Sequence, residues 1–228
     1  SQVLLFVGPA LLLLLVGLVI PAVRTTLASF RDDTSAENWI WFGNFADILT
    51  QKNSRDTLAN TFLWVIVGTS ISTVFGLYIA RLVDRMRGER TAKALIFLPT
   101  TIALAGAGII WKFVYAGPPT KVGLLNAITG AIPGWPEQWG GDGQKLWLVD
   151  PWPLNTLLLI VILIWVQTGF ATVVFSAAIK GVPESLLEAA RVDGATEREV
   201  FFKVVLPSIK ATIITVVTTT VIAALKVF

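Results

Sequence analysis

Cysteine and histidine are both absent from the 228 residues. Disulfides, thiol nucleophiles, imidazole acid–base catalysis and the usual zinc ligand sets are therefore excluded together. Charge is scarce as well. Asp, Glu, Lys and Arg make up 14% of the chain, against roughly 25% in an ordinary soluble domain. No stretch carries the Gly-x-x-x-x-Gly-Lys pattern that cradles nucleotide phosphates. What is abundant is apolar surface: hydrophobic residues are 54% of the chain and the mean hydropathy is +0.73. Too few polar side chains remain to cover a water-exposed globule, and the small net charge of +3 gives no nucleic-acid footprint.

Five apolar runs account for that composition: residues 3–23, 60–80, 94–115, 154–179 and 209–228. About 20 such residues cross a bilayer as a helix, and lipid leaves no other way to satisfy the backbone. The runs predict an all-α, polytopic transmembrane helical bundle, a single domain over 1–228, with external links 24–59 and 116–153 and a cytoplasmic link 180–208. The first run could instead be a secretory signal, but no basic segment precedes it and no small-x-small cleavage site follows. The missing basic tail also suggests that Ser1 is not the natural start.

Lys and Arg set the orientation. Arg81, Arg85, Arg87, Arg90 and Lys93 crowd the second link, and Lys180, Arg191, Arg198, Lys203 and Lys210 the fourth. In the first link Arg24, Arg31, Lys52 and Arg55 are diluted by acids, and the third has only Lys121 and Lys145. The basic links are therefore expected in the cytoplasm, with the N-terminus on the same side of an inner membrane. Trp135, Trp139, Trp147 and Trp152 in or beside the third link suit the headgroup level or an external partner.

Inside the runs, Gly68, Ser72, Gly76 and Ala80 recur every fourth residue, a spacing that lets helices approach closely. Pro99 is expected to kink its helix. No Asp or Glu lies within a run. Carriers driven by protons or sodium usually need an intramembrane ionisable group, so the energy source is expected on another chain. The runs also offer no catalytic cluster and no metal site, which argues against a membrane enzyme. The polar side chains they do contain are hydroxyls and amides. Thr100, Thr101, Gln167, Thr168, Thr172 and Ser176 are candidates for contact with a neutral polar solute, or for bridges between helices.

The link between the last two runs has a pattern of its own. Pro183 suits a first helical position, and Leu186, Leu187 and Ala190 share a face of the helix that follows. Glu188 stands three residues before Arg191, in reach of an ion pair. Asp193-Gly194 reads as a turn. Thr196 with Glu199 reads as a capping box for a second helix that ends at Leu206-Pro207. The expected result is a helix–turn–helix knuckle with an uncovered apolar face, the mark of a docking site.

Glu188-Ala189-Ala190, Gly194 after three further residues, and Val204-Val205-Leu206-Pro207 after nine more resemble the EAA loop of ABC-importer permeases. Phe97-Leu98-Pro99, Trp111-Lys112-Phe113, Gly123-Leu124-Leu125-Asn126, Ile164-Trp165, Thr168-Gly169-Phe170 and Leu225-Lys226-Val227-Phe228 extend the likeness to carbohydrate permeases of the maltose and α-glucoside type. The resemblance implies that Glu188, Ala189, Ala190, Asp193, Gly194, Leu206 and Pro207 dock an ATPase, and that at least one more membrane helix follows Phe228. It also implies no cofactor on this chain, with ATP and Mg held by a dimer of ATP-binding subunits. A second homologous permease and an external solute-binding protein complete the expected importer, which works by alternating access. The competing readings are an ABC permease for an amino acid, peptide or phosphate ester, and an ATP-independent secondary carrier or channel.

Overall fold

The computed structural model describes residues 2–32, 38–102, 104–118, 123–149 and 152–227. Contacts divide the chain into two units, Ser1–Ala59 and Asn60–Phe228. The first begins with helix α1 (Phe6–Ala28), 23 residues of mean hydropathy 2.6 with none of its side chains buried. Such a surface has to be covered by lipid or protein, because water would meet an unbroken apolar rod. After α1 the chain makes an antiparallel bridge between Arg31 and Trp39 and a short helix, α2 (Gly43–Thr50). The Asn44 amide donates to the carbonyls of Ser29 and Arg31 at 2.9 and 2.8 Å, and the rings of Phe30, Phe42 and Phe45 pack together beside it.

Helix α3 (Lys52–Val83) contains the run expected at 60–80 and extends it by eight residues at its start. Next come α4 (Glu89–Phe97), a tight turn over Leu98–Thr101 that holds the buried Pro99, and α5 (Leu104–Val114). The run expected at 94–115 is therefore not one helix. Glu89–Thr101 and Ala105–Val114 make an angle of 103°, with Pro99, which lacks a donor and fixes φ, in the last turn before the break. Ala103 lies outside the described residues.

Helix α6 (Leu124–Ala131) opens a small folded block whose centre is the fully buried Asn126. Its amide donates to the carbonyls of Ala116 and Lys145, and its oxygen accepts from the Lys145 amide and the Trp147 indole. Trp147 is consequently buried, unlike Trp135, Trp139 and Trp152, which are exposed. Of the four tryptophans expected at a headgroup or partner surface, Trp147 is instead part of the block's interior.

Helix α7 (Leu154–Lys180) runs parallel to α3. Asn60 accepts from Thr156 at 3.2 Å; Gly68 faces Leu163, and Gly76 faces Ala171 and Thr172. The small-residue stripe forms this seam: Gly68, Ser72, Gly76 and Ala80 are all buried. A Cβ on Gly76 would stand 2.4 Å from that of Ala171, so the close approach of the two backbones leaves no room for a side chain there. Two short helices, α8 (Glu184–Val192) and α9 (Glu197–Ser208), lead to α10 (Lys210–Leu225), which turns through 68° from α9. Ala80, Phe175, Val182, Val205, Ile209 and Val216 form one buried cluster where α3, α7, α9 and α10 meet.

Candidate functional site

The knuckle expected between the last two runs forms from local chemistry. Glu184–Val192 is helical, with Pro183 one residue earlier than expected, at the cap position in an extended conformation. The helix closes when Gly194 adopts φ +83°. Its N–H then reaches the Arg191 carbonyl, and the Ala195 N–H reaches the Ala190 carbonyl, both at 3.0 Å. This paired closure needs a left-handed residue that only glycine adopts readily. A Cβ on Gly194 would meet nothing within 4 Å, so conformation rather than space selects glycine here. The next helix starts with the capping box: Thr196 Oγ1 accepts from the Glu199 N–H at 3.3 Å, and Glu199 Oε2 accepts from the Thr196 N–H at 3.0 Å. Lys203 donates to Glu199 at 2.8 Å. That bond, followed by those from Thr196, brings the Glu199 carboxyl down to about 2.

The structure rotates α8 relative to the face read from spacing. Leu187 packs against the buried cluster and Ala190 is half-buried, whereas Leu186 turns outward with Ala189 and Val192. Leu186, Ala189 and Val192 stand three apart and form an exposed apolar stripe, with Val192 87% exposed. Glu188, Asp193 and Gly194 are exposed beside it. Arg191 takes a different partner from the one expected: its Nε donates at 2.8 Å to Glu197 on α9 rather than pairing with Glu188. The guanidinium, chiefly through that bond, holds the Glu197 carboxyl below the usual carboxylate range. Leu206 and Pro207 are not part of the exposed stripe. They lie in the last turn of α9, at the bend into α10, with Leu206 half-buried.

The hydroxyls expected to meet solute do not come together on one open surface. Thr168, Thr172 and Ser176 are buried on α7. Thr172 donates to the Thr168 carbonyl at 2.8 Å, and Thr168 Oγ1 has no hydrogen-bond partner. Thr100 and Thr101 donate to the carbonyls of Phe97 and Leu98 in the tight turn. Thr101 is exposed, while Thr100 and Gln167 are half-buried. Gly169 lets α7 approach the end of α4, where its Cβ would stand 2.3 Å from the Ile96 carbonyl oxygen and 3.2 Å from the Thr100 methyl.

Ser176 belongs to a cluster that the sequence did not suggest. It donates to Asp84 Oδ1 at 2.6 Å and also meets Lys93. Lys93 pairs with Asp84 at 2.7 Å and with Glu89 at 2.5 Å, and Glu89 in turn pairs with Lys180. These five residues tie the end of α3, the first turn of α4 and the last turn of α7 together. Each is an ordinary charge or hydroxyl at the edge of an apolar run. Only the parallel register of α3 and α7 brings them to one place. The two basic links therefore meet at the same end of the unit, and α8 projects from that end.

Residues 72–228 match the family described as binding-protein-dependent transport system inner membrane component. The alpha-glucoside transport system permease protein AglF of Rhizobium meliloti (strain 1021) is 43% identical over 227 residues, which are 98% of this chain and 65% of that protein. The osmoprotective compounds uptake permease protein GgtC of Synechocystis sp. is 41% identical over 98% of this chain and 78% of its own length. The chain thus spans about two thirds to three quarters of these relatives. In a crystal structure of a bacterial ABC transporter involved in the import of the acidic polysaccharide alginate, one chain superposes with a TM-score of 0.73. It covers 96% of this chain and 71% of its own length at 22% identity, a likeness of fold. With the closed knuckle at one end of a membrane bundle and the family's match across more than half of the residues, this chain belongs to the binding-protein-dependent inner membrane components of transport systems.

Proposed function

We propose that this chain is a permease subunit of an ATP-driven sugar importer in the cytoplasmic membrane, with an α-glucoside or maltose-like oligosaccharide as cargo. The observation that carries the reading is α8, which offers an exposed apolar stripe with Glu188 and Asp193 beside it and is closed at Gly194. An apolar helix face left open to water is a docking surface. Its occupant in this reading is a separate ATP-binding subunit that holds ATP and Mg. Glu188, Ala189, Asp193 and Gly194 provide the contact. Ala190 closes the helix, and Leu206 and Pro207 set the bend that carries the knuckle.

The two basic links meet at the α8 end, so that end and the N-terminus lie in the cytoplasm by the charge rule. A second permease and an external solute-binding protein complete the assembly. ATP changes the access of the pathway only if the ATPase contacts α8 differently in the inward-facing and outward-facing states. Thr100, Thr101 and Gln167 are the solute contacts this reading favours, because their side chains are not fully enclosed by neighbouring helices. The relative named for α-glucosides supports the cargo. The similarly close relative named for osmoprotective compounds supports a small osmolyte as the second choice.

The test is import into proteoliposomes holding the full-length permease with its ATPase, second permease and binding protein. Maltose and a small osmolyte are supplied in separate assays. Glu188→Ala and Gly194→Val are expected to insert normally and to lose ATP-dependent import. Gly194→Val adds strain of about 1–2 kcal/mol at a left-handed position. Import that continues without ATP, or at the unaltered rate in both variants, would refute the reading.

A further inference from the structure

Helix α8 is joined to α7 by Gly181–Pro183 and to α9 by four residues, Asp193 to Thr196, the glycine among them. Links that short and rich in turns would absorb a push on α8 unless something else held it. Two contacts do so. Glu197, at the start of α9, accepts from Arg191 of α8 at 2.8 Å on one side and lies 3.5 Å from Arg85, just past the end of α3, on the other. Phe201, one turn further along α9, packs with Leu187 against the cluster containing Ala80 and Phe175, and the Arg81 guanidinium of α3 sits 4.1 Å from its ring centre. A hollow of about 140 Å³ separates these pins, lined by Arg81, Asp84, Leu187, Glu197 and Phe201 among others.

We propose that Glu197 and Phe201 are positioning residues that bolt α8 to the end of α3, so that movement of α8 enters the membrane through the α3–α7 seam. The inference rests on the importer reading above and names the route within it. Glu197 is suited to the task because one carboxylate reaches arginines on two elements at once. Phe201 is suited because its ring is gripped between an arginine face and an apolar core. The Arg85–Glu197 pair is exposed on both sides, and exposed pairs add little to folding. Losing it should leave the chain folded and alter only what α8 moves.

The same proteoliposomes test this, with sugar import and ATP hydrolysis measured on one preparation. Glu197→Ala and Phe201→Ala are expected to keep the ATPase bound while the sugar imported per ATP falls about five- to tenfold, the scale of a lost coupling. These 228 residues contain no cysteine, so Arg85→Cys with Arg191→Cys places a unique pair within them, on the two elements that Glu197 joins. A short bis-methanethiosulfonate linker across it should restore import, and reduction should abolish it again. Import and hydrolysis falling in proportion, or a linked pair that stays uncoupled, would overturn the proposal. An unaltered complex that neither binds the ATPase nor imports sugar would overturn the importer reading instead.

Discussion

Gly76→Ala is the smallest change that addresses the α3–α7 seam. The added methyl would lie 2.4 Å from the Ala171 Cβ and 3.2 Å from the Ala171 carbonyl carbon and the Thr172 nitrogen. The first distance is about 1 Å short of ordinary contact, and two of the three atoms are backbone, so no rotamer change relieves the clash. The helices have to part by about 1 Å. Overpacking on that scale costs about 1–3 kcal/mol, and the separation would also loosen Gly68 against Leu163 and Ala80 within its cluster. Heating the detergent-solubilised chain and following the folded fraction by size exclusion should show Gly76→Ala aggregating at clearly lower temperature. Two companions sharpen the test. Gly17→Ala, where nothing lies within 4 Å, should be neutral. Adding Ala171→Gly to Gly76→Ala should recover most of the loss, leaving the residue of it to the backbone contacts. Gly76→Ala with unchanged thermal behaviour, or a double variant no better than the single one, would show that the helices are not in this register.

Asn126→Ala should strand the Trp147 indole inside the 123–149 block, at about 1–3 kcal/mol for the orphaned group, and limited proteolysis there should accelerate while α7 stays protected. The capping box gives a pH signature in the knuckle. Glu199 is depressed to about 2, so its contribution is complete above the usual carboxylate range and is lost as pH falls toward 2. Amide exchange across 197–205 should therefore be flat from pH 8 to pH 5, after correction for the intrinsic rate, and rise only below. In Glu199→Gln the acid-dependent rise should shrink to the part that Glu197, held down by Arg191, still contributes.

Local features of this chain were legible and long-range ones were not. Thr196 with Glu199, and Gly194 after Asp193, are patterns within four residues, and both formed as written because the backbone groups they satisfy are neighbours. The apolar runs likewise marked helices wherever a run is uninterrupted, as in α1 and α7. The third run bends after Pro99, where the proline is expected to kink it; hydropathy, which the proline leaves unchanged, gives no sign that the two halves part so sharply. Spacing placed Leu186 and Leu187 on one face, yet the two diverge, since the rotation of α8 is set by Phe201 and Val205 on another helix. Spacing leaves Thr168, Thr172 and Ser176 open between solute contact and a bridge to another helix, because a hydroxyl facing a glycine seam and one facing a channel are identical in sequence. The partners of Arg191 and Asp84 come from residues brought together by packing, and single-sequence spacing carries no trace of them.

The parallel course of α3 and α7 has a consequence for biosynthesis. Ala171 is made 95 residues after Gly76, so at about 5–20 residues per second the glycine edge of α3 waits on the order of 5–20 s in the bilayer before its counterpart emerges. During that interval the groove at Gly68 and Gly76 is an open slot among lipid chains. Whatever fills it, acyl tails or an insertion factor, must leave before the ribosome's later product can close the seam.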